Sequence, residues 1–71
     1  MTPYQYYKSK KKDIVENMAI RAGTTHANFK QIALVGGVGP KLARELEITS
    51  NGEMTLREIL FPEEFTEKDN G

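Results

Sequence analysis

Apolar residues recur along the chain at intervals of three and four, which is the spacing of helices rather than of strands. The clearest stripe consists of Ile14, Val15, Met18, Ala19 and Ala22. It predicts a helix from about Ser9 or Lys10 to Ala22. Gly23 ends this helix, because glycine readily takes the left-handed conformation found at helix C-termini.

A shorter helix precedes this one, and its start signal is a capping box. Thr2 is followed by Pro3 at the first helical position and by Gln5 at the third. Tyr4 and Tyr7, three residues apart, share one face of this first helix.

A third helix is predicted from about Thr25 to Leu34, with either Thr24 or Thr25 able to cap it. Its inward face carries an apolar stripe made of Phe29, Ile32 and Ala33. The other face is polar.

Pro40 suits the first turn of a fourth helix, whose inward face carries Leu42, Ala43 and Leu46. This helix ends before "SNG", residues 50–52, where Asn51 or Gly52 can adopt the left-handed conformation.

The last helix begins at a T-x-x-E capping box formed by Thr55 and Glu58, with Met54 and Ile59 placed as a hydrophobic staple. The residues predicted to face the core are Leu56, Ile59 and Leu60. After this helix, Phe61 and Phe65 are predicted to cover an edge of the core.

These elements predict an all-α fold, a compact bundle of about five short helices in one domain, residues 1–66. A disordered C-terminal tail is expected over residues 67–71, which are polar. The pattern indicates neither strands nor repeats nor a linker.

The composition excludes several classes of protein. The chain has no cysteine, so neither disulfides nor a thiolate metal site is expected, and a cytoplasmic location is favoured. The longest apolar run is only four residues, 32–35, which predicts neither a membrane-spanning helix nor a signal peptide. His26 is the only histidine, so an enzyme, a metal site or a cofactor is not expected.

The charge is divided between the two parts of the chain. Residues 1–44 contain eight basic and two acidic side chains, a net charge of +6, whereas residues 45–71 contain two basic and eight acidic ones, a net charge of −6. This division indicates a basic surface directed at a polyanion.

The stretch "VENMAIRAGTTHANFKQIAL", residues 15–34, joins two amphipathic helices through a turn so short that the helices must cross. A helix-turn-helix needs a small residue at the crossing and a residue tolerant of positive φ in the turn, and Ala19 and Gly23 supply them. The apolar residues that lock the two helices together are Met18, Ala22, Phe29 and Ile32.

On three segments the chain resembles the lambda-repressor-like helix-turn-helix domains, and among them the small Cro-type regulators of phages and prophages. The segments are "AIRAGTTHANFKQIA", residues 19–33, "GPKLARELE", residues 39–47, and "TSNGEMTLREILFPEEF", residues 49–65. The loop "LVGGVGP", residues 34–40, departs from that family by its high glycine content.

The resemblance implies that the third helix lies in the major groove of double-stranded DNA and that the protein represses transcription by occupying an operator. It also implies a homodimer on DNA, with half-sites about 34 Å apart, and neither a membrane nor a small-molecule substrate. The segment from Phe61 to Phe65 is the expected contact between the two copies.

Base contacts are expected from the first residues of the third helix, namely Thr25, His26, Ala27, Asn28 and Gln31. The amides of Asn28 and Gln31 suit adenine, His26 can donate a hydrogen bond to guanine, and Thr25 or Ala27 offers a methyl group to thymine.

Phosphate contacts are expected from Lys10, Lys11, Lys12, Thr24, Lys30, Gly37 and Lys41. Lysines at a helix N-terminus oppose the macrodipole by about 0.3–1 kcal/mol each, so stability alone does not favour Lys10, Lys11 and Lys12. A phosphate at that helix end would reverse the sign. These lysines are therefore predicted to place the second helix against the DNA backbone, and Gly37 lets the loop backbone approach a phosphate.

Two other interpretations stay open. The segment "GVGPKLA", residues 37–43, is similar to a helix-hairpin-helix, which binds DNA without sequence preference through backbone amides. A small antitoxin or other protein-interaction module is the second, with the acidic C-terminal part contacting the partner. A nucleotide-binding loop is excluded, because G-x-G-x-x-G requires glycine where Leu42 stands.

Overall fold

Five α-helices and one short 3-10 turn build the described part of the chain. The structure is a computed structural model that describes residues 1–65, and this range contains no strand. The helices are α1 (Pro3–Ser9), α2 (Lys12–Arg21), α3 (His26–Val35), α4 (Pro40–Thr49) and α5 (Leu56–Leu60), and the 3-10 turn is Pro62–Glu64. The predicted all-α class is confirmed for these residues, whereas the tail predicted over residues 67–71 lies outside them.

Both predicted capping boxes are present. The Thr2 hydroxyl accepts the Gln5 backbone N–H at 3.2 Å, and the Gln5 side chain accepts the Thr2 N–H at 2.9 Å. Thr55 and Glu58 make the same reciprocal pair at 3.2 and 3.0 Å. These bonds satisfy N–H groups that a helix start leaves without partners, and they fix where α1 and α5 begin.

The carboxylate of Glu58 also accepts a hydrogen bond from the Met1 ammonium at 2.8 Å. Burial by itself raises the pKa of Glu58, but the hydrogen bonds from Met1 and Thr55 outweigh burial and lower that pKa below its usual value. Glu58 therefore stabilises the fold in its ionised form.

The core lies among all five helices. α1 packs mainly on α3, α2 packs on both α3 and α4, and α5 packs on α4. The buried apolar residues are Tyr6, Val15, Met18, Ala19, Ala22, Phe29, Ile32, Ala43, Leu46, Met54 and Ile59. The rings of Tyr6 and Phe29 meet edge to face with centroids 6.1 Å apart, which anchors α1 on α3.

Two expectations about α2 are wrong. α2 begins at Lys12 rather than at Ser9 or Lys10, because Lys10 and Lys11 have extended backbones that separate it from α1. Ile14 is 46% exposed, because α2 buries positions 15, 18, 19 and 22, and Ile14 lies outside that stripe. In α1 the buried tyrosine is Tyr6 rather than Tyr4 or Tyr7.

The prediction that Phe61 and Phe65 cover the core is also wrong. Their side chains are 46% and 40% exposed. α5 ends at Leu60, and the backbone of Phe61 then leaves the helical conformation, with φ −131° and ψ 60°, so the chain turns into the 3-10 segment. Ile59 is the buried residue of α5, and Leu60 packs against the core as a half-buried side chain.

Candidate nucleic-acid interface

The turn between α2 and α3 has the geometry that the sequence pattern requires. Ala19 is completely buried in α2, and its carbonyl accepts the Thr24 N–H at 2.9 Å. Gly23 has φ +92°, and a Cβ placed on it would meet nothing within 4 Å. The glycine is therefore needed for its backbone conformation and not for lack of space.

The start of α3 is fixed by Thr25, whose hydroxyl accepts the Asn28 backbone N–H at 3.0 Å. Phe29 is fully buried and Ile32 nearly so, and these two residues face the core. The polar side of α3 remains on the surface. Four of the five residues predicted to contact bases are exposed, namely Thr25, Ala27, Asn28 and Gln31, and the fifth, His26, is half-buried.

The side chain of Asn28 is held by the turn that precedes the helix. Its Nδ2 atom donates to the Thr24 hydroxyl at 2.7 Å. The amide oxygen and the second N–H of Asn28 remain for a ligand. Thr24, predicted to contact phosphate, therefore orients a predicted base-contacting residue in the unbound protein.

His26 is the first residue of α3 and packs against α1. Its ring lies 5.9 Å from the ring of Tyr7 between centroids, at an interplanar angle of 47°. The two rings line a cleft of about 250 Å³. The complete lining is Tyr7, Lys8, Lys10, Lys12, Val15 and His26. The cleft is thus basic, and no carboxylate is among its lining residues.

The three consecutive lysines differ in their ion pairing. Lys11 and Lys12 are exposed at the start of α2, and within residues 1–65 neither makes an ion pair. The Nζ atom of Lys10 lies 2.7 Å from Glu53 Oε1, and this hydrogen bond raises the pKa of Lys10. Lys10 is thereby bound to the segment before α5 and is less available to a phosphate.

The first turn of α2 also holds one carboxylate. Lys11 occupies the N-cap position and makes no side-chain capping bond. Asp13 accepts the Ile14 N–H at 3.0 Å. Asp13 is thus the side-chain partner of the Ile14 N–H. The backbone N–H groups of Lys12 and Asp13, which precede it at this helix end, are left to solvent or to an anion.

Lys30, Lys41 and Gly37 are exposed, but none of them lines the basic cleft. Lys41 is the second residue of α4, and Lys30 stands on the polar side of α3. Gly37, with φ +85°, instead lines a groove of about 610 Å³, whose other walls include the end of α3 and the segment from α5 to the 3-10 turn. The structure therefore brings His26 together with Lys10 and Lys12, and does not bring Gly37 to the same cleft.

Sequence reasoning missed three residues of the cleft, Tyr7, Lys8 and the core residue Val15. Lys8 belongs to the same basic run as Lys10, Lys11 and Lys12, and this continuity is the signal that identifies it. Tyr7 carries no such signal, because its contact with His26 depends on how α1 packs on α3.

The described residues contain no group of three or more histidine, aspartate or glutamate side chains placed to hold a metal ion. Over the same range, every helix is too short or too polar to cross a membrane. Comparison of the chain with protein-family models, with curated proteins and with solved structures finds no match.

Proposed function

We propose that this protein is a sequence-specific DNA-binding regulator of transcription that occupies an operator, as the resemblance to Cro-type repressors implies. The observation that carries the proposal is the junction of α2 and α3. Ala19 and Phe29 are fully buried and Gly23 has a positive φ, so α2 packs on α3 through a short turn. This packing leaves the polar start of α3 on the surface. A helix presented in this way fits the major groove of DNA.

In the proposed complex, α3 contacts base edges with its first turns and basic side chains contact the phosphates around it. The amides of Asn28 and Gln31 pair with adenine, His26 donates to guanine, and Thr25 or Ala27 contacts a thymine methyl. The phosphate contacts come from Lys11, Lys12, Thr24, Lys30 and Lys41, with Gly37 allowing a close approach of the loop. Lys10 stays paired with Glu53 in this proposal and makes no phosphate contact.

The protein acts as a homodimer on DNA, with two α3 helices in successive major grooves about 34 Å apart. Phe61 and Phe65 supply the contact between copies in this proposal. Their large exposed rings on the surface of the monomer support that role, because such side chains are enriched in the cores of interfaces. Their failure to cover the monomer core makes them available for it.

The helix-hairpin-helix alternative receives less support from the packing. In that alternative the two helices joined by the glycine hairpin are α3 and α4. Here α3 packs on α1 and α2, whereas α4 packs on α2 and α5.

A protein-interaction module is favoured by one observation, the groove at the end of α3, where Leu34 and Val35 are 53% and 73% exposed.

Titration of the protein against a duplex of random sequence at low salt separates DNA binding from the protein-interaction alternative. Non-specific DNA binders have a Kd of about 10⁻⁴–10⁻⁶ M at physiological salt and bind more tightly as salt falls, so we expect binding at micromolar protein. No binding under these conditions contradicts the proposal.

A second comparison separates a recognition helix from a hairpin. Once a preferred site is known, the variant His26→Ala, Asn28→Ala is expected to lose its preference for that site over random DNA while it keeps weak binding. The control variant Glu16→Ala, Asn17→Ala alters exposed residues of α2 and is expected to keep the preference. If both variants keep it, α3 does not read the sequence.

A further inference from the structure

The contact between α1 and the first residue of α3 goes beyond what a recognition helix alone requires. His26 is half-buried, and its ring packs at a tilt against the ring of Tyr7. Within residues 1–65, its ring nitrogens take part in no hydrogen bond or ion pair. The ring is therefore held by its packing on Tyr7, and its two nitrogens remain for a ligand.

Tyr7 itself has little freedom to move. Its neighbour Tyr6 is buried and meets the buried Phe29 edge to face. The pair Tyr6 and Phe29 and the pair Tyr7 and His26 thus join the same two helices, the first in the core and the second at its surface. Because the core pair fixes α1 on α3, the surface pair is fixed as well.

A side chain at the first position of a helix projects beyond the helix end and otherwise samples several rotamers. Ordering such a side chain on binding costs free energy, and a contact that orders it beforehand removes that cost. Asn28 has an equivalent support in the Thr24 hydroxyl at 2.7 Å. Two of the residues of α3 that are predicted to read bases, His26 and Asn28, are thus held by neighbours outside the helix.

We propose that Tyr7 is a positioning residue that holds the ring of His26 in the orientation from which it contacts one base pair. This inference rests on the proposed function. Tyr7 does not touch the DNA itself, and its effect is confined to the base pair that His26 reads. The ring of Tyr7, rather than its hydroxyl, performs this role.

The test compares Tyr7→Phe, which keeps the ring, with Tyr7→Leu, which keeps apolar bulk but removes the ring. Tyr4→Leu is the matched control, because Tyr4 also lies on α1 but lines the groove at the end of α3, where it has no contact with His26. Circular dichroism during heating identifies any variant that fails to fold. Because Tyr7→Leu preserves most of the apolar contact, we expect it to remain folded.

The first readout needs no DNA. His26 is the only histidine, so its ring protons give a single set of NMR signals. Loss of the Tyr7 ring current is expected to shift these signals in Tyr7→Leu, whereas in Tyr7→Phe and Tyr4→Leu they stay near their wild-type positions. Unchanged signals in Tyr7→Leu overturn the inference.

The second readout is affinity for duplexes that differ from the selected site by one base pair. His26→Ala defines the position that His26 reads. At that position Tyr7→Leu is expected to lose most of the preference that His26→Ala loses, about five-fold, and to keep the wild-type preference elsewhere. Tyr7→Phe is expected to restore the preference.

The outcomes separate the two levels of the proposal. If the wild type prefers a site but Tyr7→Leu keeps full preference at the His26 position, the positioning role is wrong and the DNA-binding function stands. If His26→Ala changes no position, this inference is likewise wrong while the function stands. If the wild type prefers no sequence, the proposed function fails and this inference fails with it.

Discussion

The start of α2 offers a perturbation in which neighbouring lysines are expected to behave differently. Lys11 and Lys12 are exposed, and within the described residues they make no ion pair, whereas the Lys10 ammonium lies 2.7 Å from Glu53. The double variant Lys11→Gln, Lys12→Gln removes two charges that are available to DNA phosphates. The single variant Lys10→Gln removes a charge that is already paired, and it is the matched control.

The magnitude follows from the release of counterions. Each phosphate contact contributes about 0.9 to the slope of log affinity against log salt, so the double variant is expected to flatten that slope by about 1.8. Between about 50 and 200 mM salt, the wild type then loses about 12-fold more affinity than the double variant. Lys10→Gln is expected to keep the slope of the wild type.

Fluorescence anisotropy with a labelled duplex, repeated at several salt concentrations, measures both slopes. Thermal unfolding supplies the control for folding. Lysines at a helix N-terminus oppose the macrodipole, so the double variant is expected to be slightly more stable than the wild type, by about 0.3–1 kcal/mol for each lysine. Weaker binding together with unchanged or higher stability is the signature of a phosphate contact.

Two results would refute this reasoning. A double variant with the salt slope of the wild type shows that α2 does not face the DNA backbone. A flattened slope in Lys10→Gln, combined with a wild-type slope in the double variant, shows that the assignment of the paired and exposed lysines is reversed.

Three further predictions concern the folded state and are checked by chemical or thermal unfolding. Thr55→Ala is expected to lower the free energy of unfolding by about 1 kcal/mol through loss of the cap on α5, and a stability equal to that of the control Thr49→Ala would contradict it. Gly23→Ala is expected to lower the free energy of unfolding by about 1–3 kcal/mol, because φ at Gly23 is +92°. Gly39→Ala, at φ −76°, should change that free energy little, because alanine is a poorer N-cap but makes the unfolded chain stiffer. Equal losses in the two variants would exclude backbone strain as the cause. Because the pKa of Glu58 is lowered in the folded protein, its stabilisation is fully present above its usual pKa of 4.5 and is lost as the pH falls through the lower folded value. Glu58→Gln should therefore flatten the decline of stability in that range. An unaltered decline would be inconsistent with this assignment.

The helices and their caps could be predicted from local sequence, because the signals that set them lie within a few residues. The boxes at Thr2 and Thr55 and the whole of α4 from Pro40 to Thr49 are of this kind. Local signals decide these features since a cap needs only one side chain and one backbone group.

The features that sequence reasoning missed depend on contacts between distant residues. Whether α1 buries Tyr6 or its neighbours is decided by where Phe29 lies, 23 positions along the chain. The pairing of Lys10 with Glu53 likewise depends on the return of the chain after α4. Neither contact leaves a periodic trace in the sequence.

The candidate interface shows the same division. The exposure of Asn28 and Gln31 follows from the period of α3 once Phe29 and Ile32 are placed inward. The basic cleft and the support of His26 by Tyr7 come from the packing of α1 against α3.

The most direct measurement is the selection of bound duplexes from a random pool, with the wild-type protein and the variant His26→Ala, Asn28→Ala in parallel. The wild type is expected to enrich a palindromic site with half-sites about 34 Å apart, one turn of DNA, and the variant is expected to lose that enrichment or change it within each half-site. A wild-type pool that stays random after repeated selection, although the protein is folded, would contradict the proposal that α3 reads DNA sequence.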